Sequence, residues 1–301
     1  MQSDSLGAET IGRHGHLLSL IPKNLEHYGN WLNEMMSIPG DNILVVDVRD
    51  TLSASELNSV RGQNRCVVLL DDLSDRRFAA DLAFYPPVPQ VARADWAGFH
   101  GKRFTGWEWV ILRRQFAESV RRDHREAASV LITMGGSDPA GLTMQAVEGL
   151  ELAKEKFDGT IVLGSGFRHK NALNSLLEKA RRHYSVHEEV QDMRGMMSKA
   201  DIALCSYGMT AFELAATGVP AIYFCLSEDH AQSASALADA GAGISLGVFN
   251  KITGETISET VTALLASQKL QHQISEAACR LIDGQGASRI ANLIAKRIMT
   301  K

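Results

Sequence analysis

Residues Ala200–Gly243, ADIALCSYGMTAFELAATGVPAIYFCLSEDHAQSASALADAGAG, read as strand, turn, helix, strand, turn, helix. Ile202 to Cys205 is a short apolar run with the look of a buried strand, broken by Ser206, Tyr207 and Gly208. A helix is expected from Thr210, and Glu213 three residues later has the spacing of a capping box. Gly218 ends that helix and Pro220 keeps it from restarting. Ala221 to Cys225 is the next buried strand, Ser227 to His230 the turn after it, and the last helix runs to Gly241. Two buried strands joined by a helix form a βαβ unit, whose strands run parallel. Ligands of parallel sheets bind outside the carboxyl ends of the strands. The turns Ser206–Thr210 and Ser227–His230 are therefore expected to share one site.

The same alternation extends outward. Upstream, Val130 to Thr133, Thr160 to Leu163 and Tyr184 to Val186 read as strands, with helices after Pro139, over Lys170 to Arg182 and over Asp192 to Lys199. Downstream, helices are expected around Ser258–Ser267, Leu270–Leu281 and Ser288–Met299. The first half is less regular: Asn42 to Asp47, Cys66 to Leu70 and Leu82 to Tyr85 read as strands, Ser53 to Arg61 as a short helix, and Gly101 to Phe116 as a loop or edge strand. The charged segment Arg113 to Ala127 lacks an apolar stripe and marks a boundary. The expected fold class is α/β, with two Rossmann-like domains over 1–120 and 121–301, the first reduced, each a parallel sheet flanked by helices.

Bulk properties narrow the function. With 301 residues and a net charge of −4, the chain has no basic surplus to neutralise nucleic acid or an anionic membrane. No apolar run approaches the roughly 20 residues of a membrane span, and the first residues, MQSDSLGAET, do not read as a signal peptide. Cys66, Cys205, Cys225 and Cys279 have no CxxC spacing, which is consistent with four reduced core thiols in a cytoplasmic protein.

Several motifs carry two readings each. In Gly135-Gly136-Ser137-Asp138-Pro139, Pro139 fits the first helical position and Asp138 or Ser137 the cap. The paired glycines either let a phosphate approach backbone N–H groups at a helix N-terminus or form an ordinary strand-to-helix turn. Glu213 either closes a capping box on Thr210 or accepts hydrogen bonds from a ribose. Met193, Met196 and Met197 read as helix core. Asp71, Asp72 and Asp75 read as a strand-end turn in preference to a metal or acid–base cluster. His14 and His16 have no partner at ligand spacing, so no metal is expected. Arg289 either binds phosphate or is solvated.

Taken together, these motifs resemble the nucleotide-binding domain of GT-B glycosyltransferases. Among these the chain is most similar to the UDP-sugar hydrolase of pseudaminic acid synthesis and the related spore-coat polysaccharide biosynthesis proteins. The lipid II-forming N-acetylglucosaminyltransferase is a more distant likeness. The matching residues are Gly135 to Pro139 with Leu142-Thr143, Met193 to Asp201, Gly208-Met209-Thr210 with Glu213 and Gly218-Val219-Pro220, Ser233-Ala234 with Leu237 and Gly241, and Asp283-Gly284-Gln285-Gly286 with Arg289. In the first half, Val45-Val46-Asp47, Asp71 to Arg76 and Leu112-Arg113 with Phe116 match.

The resemblance implies that Gly135, Gly136 and Ser137 lie by a UDP diphosphate. Ser206, Gly208, Met209 and Thr210 would bind it from the other side through backbone N–H groups. Glu213 would hold the ribose, and the segments at Gly166, Phe167 and Val190 would border the uracil. No metal or other cofactor is implied, because helix N-termini supply the positive field. The chain also departs from the family. The family opens with Gly-x-Gly-His-x-x-Arg, and the nearest match is Arg13-His14-Gly15-His16-Leu17-Leu18-Ser19. Asp47-Val48-Arg49 replaces Asp-His-Tyr, and Asp229-His230 replaces Asn-Gln. Arg49 and His230 would then face the sugar, and His16 or Asp229 would serve as the base. The implied activity is a UDP-sugar hydrolase or glycosyltransferase of surface-polysaccharide or nonulosonic-acid synthesis. The alternative is a non-catalytic nucleotide-sugar-binding protein.

Overall fold

The computed structural model describes residues 15, 31–32, 42–48, 51–60, 65–118 and 128–299. The chain divides into two compact units, Met1–Phe84 with Asp95–Phe104, and Tyr85–Ala94 with Thr105–Lys301. The boundary expected at 120/121 falls outside the described residues, as do His16 and Arg49. Residues 85–94 and 105–118 belong to the second unit.

The first unit carries β1 (Asn42–Val46), α1 (Ala54–Val60), β2 (Arg65–Leu70), a 3-10 turn (Asp75–Ala79), β3 (Leu82–Tyr85) and β4 (Lys102–Thr105) in a sheet of order β1-β2-β3-β4. β1 and β2 pair in parallel, as do β2 and β3. Helix α1 opens with a reciprocal cap: Glu56 N–H donates to Ser53 Oγ at 3.2 Å, and Ser53 N–H donates to Glu56 Oε2 at 2.9 Å. The acidic segment after β2 is a turn, as its sequence suggests. Asp72 accepts from Ser74 N–H at 2.8 Å and from Arg76 Nε at 2.6 Å.

The second unit begins with α2 (Pro89–Arg93) and two 3-10 turns, Trp107–Trp109 and Arg114–Ala117. It continues through β5 (Ala128–Thr133), α3 (Leu142–Leu152), β6 (Phe157–Leu163), α4 (Lys170–Leu177), β7 (Tyr184–Glu188) and α5 (Met193–Ser198). Then come β8 (Ile202–Ser206), α6 (Met209–Ala216), β9 (Ala221–Cys225), α7 (Glu228–Asp239), β10 (Ile244–Val248), α8 (Gly254–Leu265), α9 (Gln268–Leu281) and α10 (Gly286–Met299). The sheet order is β10-β9-β8-β5-β6-β7, and every neighbouring pair is parallel. From β5 the chain winds outward to β7, then returns to β8 and winds the other way. The strand order therefore reverses between β5 and β8, and such a switch point leaves a crevice at the carboxyl ends.

Both faces of this sheet are covered, which explains the unbroken apolar runs of its strands. Along β8, Ile202 and Leu204 face a core shared with Ala146, Val147 and Leu150 of α3 and Ile257 and Val261 of α8. Ala203 and Cys205 face the opposite core, with Ala211 and Leu214 of α6, Leu237 of α7 and Ala278 of α9. Met197 is fully buried in that second core, with Met193 and Met196 packed against it, as the helix-core reading requires.

Some expectations need correction. Helix α6 starts at Met209, not Thr210, and Gly208 caps it without any side-chain hydrogen bond. Helix α3 starts at Leu142, three residues after Pro139, and α4 stops at Leu177, short of Arg182. Cys279 is exposed, so the buried thiols are Cys66, Cys205 and Cys225. Arg289, expected either to bind phosphate or to be solvated, has a side chain 36% exposed, and both Nη atoms donate to the Asp283 carboxylate. Among the described residues, no helix is long and apolar enough to cross a membrane.

Candidate functional site

The switch point brings together three turns of the second unit. After β5, Gly135 takes a left-handed φ of +79°, which reverses the chain over the strand end. Gly136 and Ser137 follow, both exposed. After β6, the Gly164–Gly166 turn folds onto them, and Gly166 N–H donates to the Gly136 carbonyl at 2.9 Å. After β8, Ser206 completes the group: its Oγ lies 3.4 Å from the Cβ position of Gly135. The diphosphate residues expected on either side, Gly135 to Ser137 and Ser206 to Thr210, are thus neighbours in space.

The two helix starts beside these turns differ. The N-terminus of α3 is filled by the chain itself. Asp138 is buried, with φ +42°, and its carboxylate accepts from Leu142 N–H at 2.7 Å and Thr143 N–H at 2.9 Å. Asp138 therefore caps from outside the helix, and α3 offers no anion site at these groups. The N-terminus of α6 has Gly208 at its cap, with no side-chain cap hydrogen bond, and Ala211 N–H donates to the Gly208 carbonyl at 3.0 Å. By contrast, Ser227, Thr253 and Ser267 cap α7, α8 and α9 through their hydroxyls. A bare helix N-terminus with a glycine at its cap favours an anion. Met209, at the first turn of α6, is 54% exposed.

Glu213 lies one turn further along α6 and is 8% exposed. It does not close a box on Thr210. Its Oε1 accepts from Arg113, from Nη2 at 3.0 Å and Nε at 3.2 Å. Burial pushes its carboxyl above the ordinary range, and the Arg113 guanidinium pulls part of that shift back.

The residues expected near the uracil lie at the carboxyl ends of β6 and β7. Phe167 is buried in the core, with its ring edge-on to His169 at 5.7 Å, so the exposed groups of that loop are Ser165, Gly166 and Arg168. Val190 follows β7 and packs partly buried against the core that contains α6.

Asp229 and His230 open α7 after β9. Ser227 Oγ accepts from His230 N–H at 3.2 Å. The Asp229 carboxylate is exposed and accepts at Oδ1 from Gln90 Nε2 at 2.8 Å, and the same nitrogen donates to the Asp229 carbonyl at 2.8 Å. Gln90 Oε1 in turn accepts from Ser233 Oγ at 3.1 Å. His230 Nδ1 has no hydrogen-bond partner among the described residues. Among those residues, no group of three or more His, Cys, Asp or Glu is placed to hold a metal. Gln90 carries no sequence motif, and Arg113, part of the matching Leu112-Arg113 pair, has no motif that links it to Glu213. Glu213 lies 100 positions from Arg113 and Asp229 139 positions from Gln90, and no local pattern links them.

The profile of the glycosyltransferase family 28 C-terminal domain matches residues 130–294. The spore coat polysaccharide biosynthesis protein SpsG of Bacillus subtilis (strain 168) is 26% identical over 196 residues, 64% of this chain and 57% of SpsG. The UDP-N-acetylglucosamine--N-acetylmuramyl-(pentapeptide) pyrophosphoryl-undecaprenol N-acetylglucosamine transferase of Thiobacillus denitrificans is 29% identical over 255 residues, 80% of this chain and 66% of that enzyme. The chain thus spans less than two thirds of the length of either relative. The crystal structure of MurG from Acinetobacter baumannii superposes with a TM-score of 0.60 at 19% identity, covering 96% of this chain and 94% of that one. The matched profile covers the strands and turns that build the switch point, and the chain belongs to the glycosyltransferase family 28 C-terminal domain family, on a GT-B fold.

Proposed function

We propose that this protein binds a UDP-sugar and displaces UDP from its anomeric carbon, as a glycosyltransferase of surface-polysaccharide synthesis acting in the cytoplasm. The observation that carries this reading is the pairing of two backbone turns, Gly135–Ser137, exposed at Gly136 and Ser137, and Ser206–Met209, exposed at Met209, beside the glycine-capped N-terminus of α6. In this reading the diphosphate lies between them. The acceptor oxygen forms the new bond to the anomeric carbon as the bond to the diphosphate breaks, and its proton passes to a base. The electron pair leaves on UDP, where the N–H groups and dipole of α6 meet the growing charge. Glu213 accepts from the ribose, and Ser165, Gly166 and Val190 border the uracil.

The base in this reading is Asp229 or His16, and His230 and Arg49 face the sugar. A general base must sit within hydrogen-bond reach of the attacking hydroxyl. The fixed charge of Arg49 favours an acidic sugar or acceptor. Water in place of an acceptor hydroxyl would make the reaction a hydrolysis, as in nonulosonic-acid synthesis. Assaying UDP release with and without acceptors separates the two.

Gly136→Asp tests the core of the reading. No atom lies within 4 Å of the Cβ position of Gly136, so the fold should tolerate the side chain. The added carboxylate would oppose the diphosphate. Unchanged melting with loss of UDP binding is expected; UDP binding at wild-type strength would overturn the proposal.

A further inference from the structure

Arg113 comes just before the Arg114–Ala117 turn, far in sequence from the switch-point motifs. Its Nε and Nη2 converge on one oxygen, Oε1 of Glu213, and Oε2 has no partner among the described residues. The guanidinium lies 5.3 Å from the ring of Phe116, which is 1% exposed and anchored in the core. That ring limits where the guanidinium can settle. We propose that Arg113 is the positioning residue of the ribose site: it holds Glu213 by Oε1 and leaves Oε2 to accept from the nucleotide's ribose hydroxyls. This rests on the nucleotide reading above.

A consequence follows from burial. A ribose hydroxyl donates best to an ionised carboxylate. Glu213 sits where burial favours the protonated form, and Arg113 is the charged group that opposes this, from the turn packed against α6. Without Arg113, Glu213 protonates at higher pH and accepts poorly there. Recognition of the ribose, in particular, should then become pH-dependent.

The test is calorimetric titration of the full chain with UDP, 2′-deoxy-UDP and 3′-deoxy-UDP between about pH 5.5 and about pH 8. The ratio of UDP affinity to that of the weaker deoxy analogue cancels titration of the diphosphate itself. In the wild type this ratio should be about tenfold at the alkaline end and should fall, if at all, only at lower pH than in Arg113→Gln. In Arg113→Gln it should approach one at low pH and recover as pH rises. Should that variant fail to fold, Arg113→Lys carries the test. A single ammonium keeps the charge but loses the fork, so the ratio should drop severalfold while keeping the wild-type pH profile. A wild-type ratio at every pH in the folded variants overturns the role of Arg113 and leaves the nucleotide reading standing. A wild-type protein that binds none of the three nucleotides overturns both.

Discussion

Gly166 N–H donates to the carbonyl of Gly136 across 2.9 Å, tying the turn after β6 to the turn after β5. Nothing lies within 4 Å of the Cβ position of Gly136. One strand-end loop thus buttresses the next.

Gly164→Ala should therefore act on the site through the backbone. Its Cβ would come within 2.5 Å of Gly136 Cα and 2.6 Å of Gly135 O, and backbone at both places cannot swing aside. We expect a lower melting temperature and at least about tenfold weaker UDP binding, equivalent to roughly 1.4 kcal/mol. Gly136→Ala, which meets open space, should melt as the wild type. Thermal melts paired with titration would show this; wild-type UDP affinity in a folded Gly164→Ala protein would mean that the buttress does not shape the site.

Asp138 offers a stability test separate from ligand binding. Its carboxylate caps two N–H groups of α3 from a left-handed backbone position. Asp138→Ala removes both bonds and strains the backbone, at a cost of about 2 kcal/mol. Asp138→Asn keeps one acceptor and tolerates the same φ, so it should cost less. Urea denaturation of both variants checks the order, and equal losses would show that the cap bonds are not what matters.

Much of the second unit was legible in its sequence because strands buried on both faces are continuous apolar runs that nothing else explains. Ile202–Cys205 and Ala221–Cys225 are strands where they were expected. Capping was less legible. Thr210 and Glu213 have box spacing, yet the box forms at Ser53 and Glu56 instead. The helix already begins at Met209, which puts Thr210 inside it, and Glu213 turns inward to Arg113. Asp138 was legible as a cap but not as one reaching four and five residues ahead, because that reach depends on a left-handed φ that the residue type only permits. Arg113 was legible only as part of the Leu112-Arg113 motif with Phe116, with nothing to link it to Glu213, and Gln90 left no local signal.

The first unit has its own pH signature. Burial alone would raise the Asp72 carboxyl, but the Ser74 hydroxyl and N–H and the Arg76 guanidinium outweigh it and hold the pKa below the ordinary range. A depressed folded-state pKa contributes stability that is present above the unfolded value of about 3.9 and is lost as pH falls through the folded value. Arg76 also donates to the carbonyls of Leu52 at 2.9 Å and Val48 at 3.2 Å, so the pair ties the β2 turn to the segment after β1. Asp72→Asn should destabilise the protein clearly at neutral pH and progressively less below about pH 4. Denaturation at a series of pH values gives the profile; a loss that does not change with pH would show that the charge of Asp72 plays no part.

Gln90 Nε2 donates to both the carbonyl and Oδ1 of Asp229, and Gln90 Oε1 accepts from Ser233, so one amide sets the carboxylate's position on α7. If Asp229 takes the acceptor's proton, Asp229→Asn should lower UDP release by about 10²–10⁴ while UDP binding holds, because a general base acts in the chemical step. Gln90→Ala leaves the carboxylate in place but unheld. It should cost about tenfold in kcat, since misplacement of a reacting group is expensive even when its chemistry is intact. Gln90→Glu sets a second carboxylate against the first and should cost more than Gln90→Ala. Measuring UDP release with acceptors for all three variants, alongside His16→Ala, separates the candidates. Full turnover in Asp229→Asn together with loss in His16→Ala would move the base to His16 and leave Gln90 a structural link between α2 and α7.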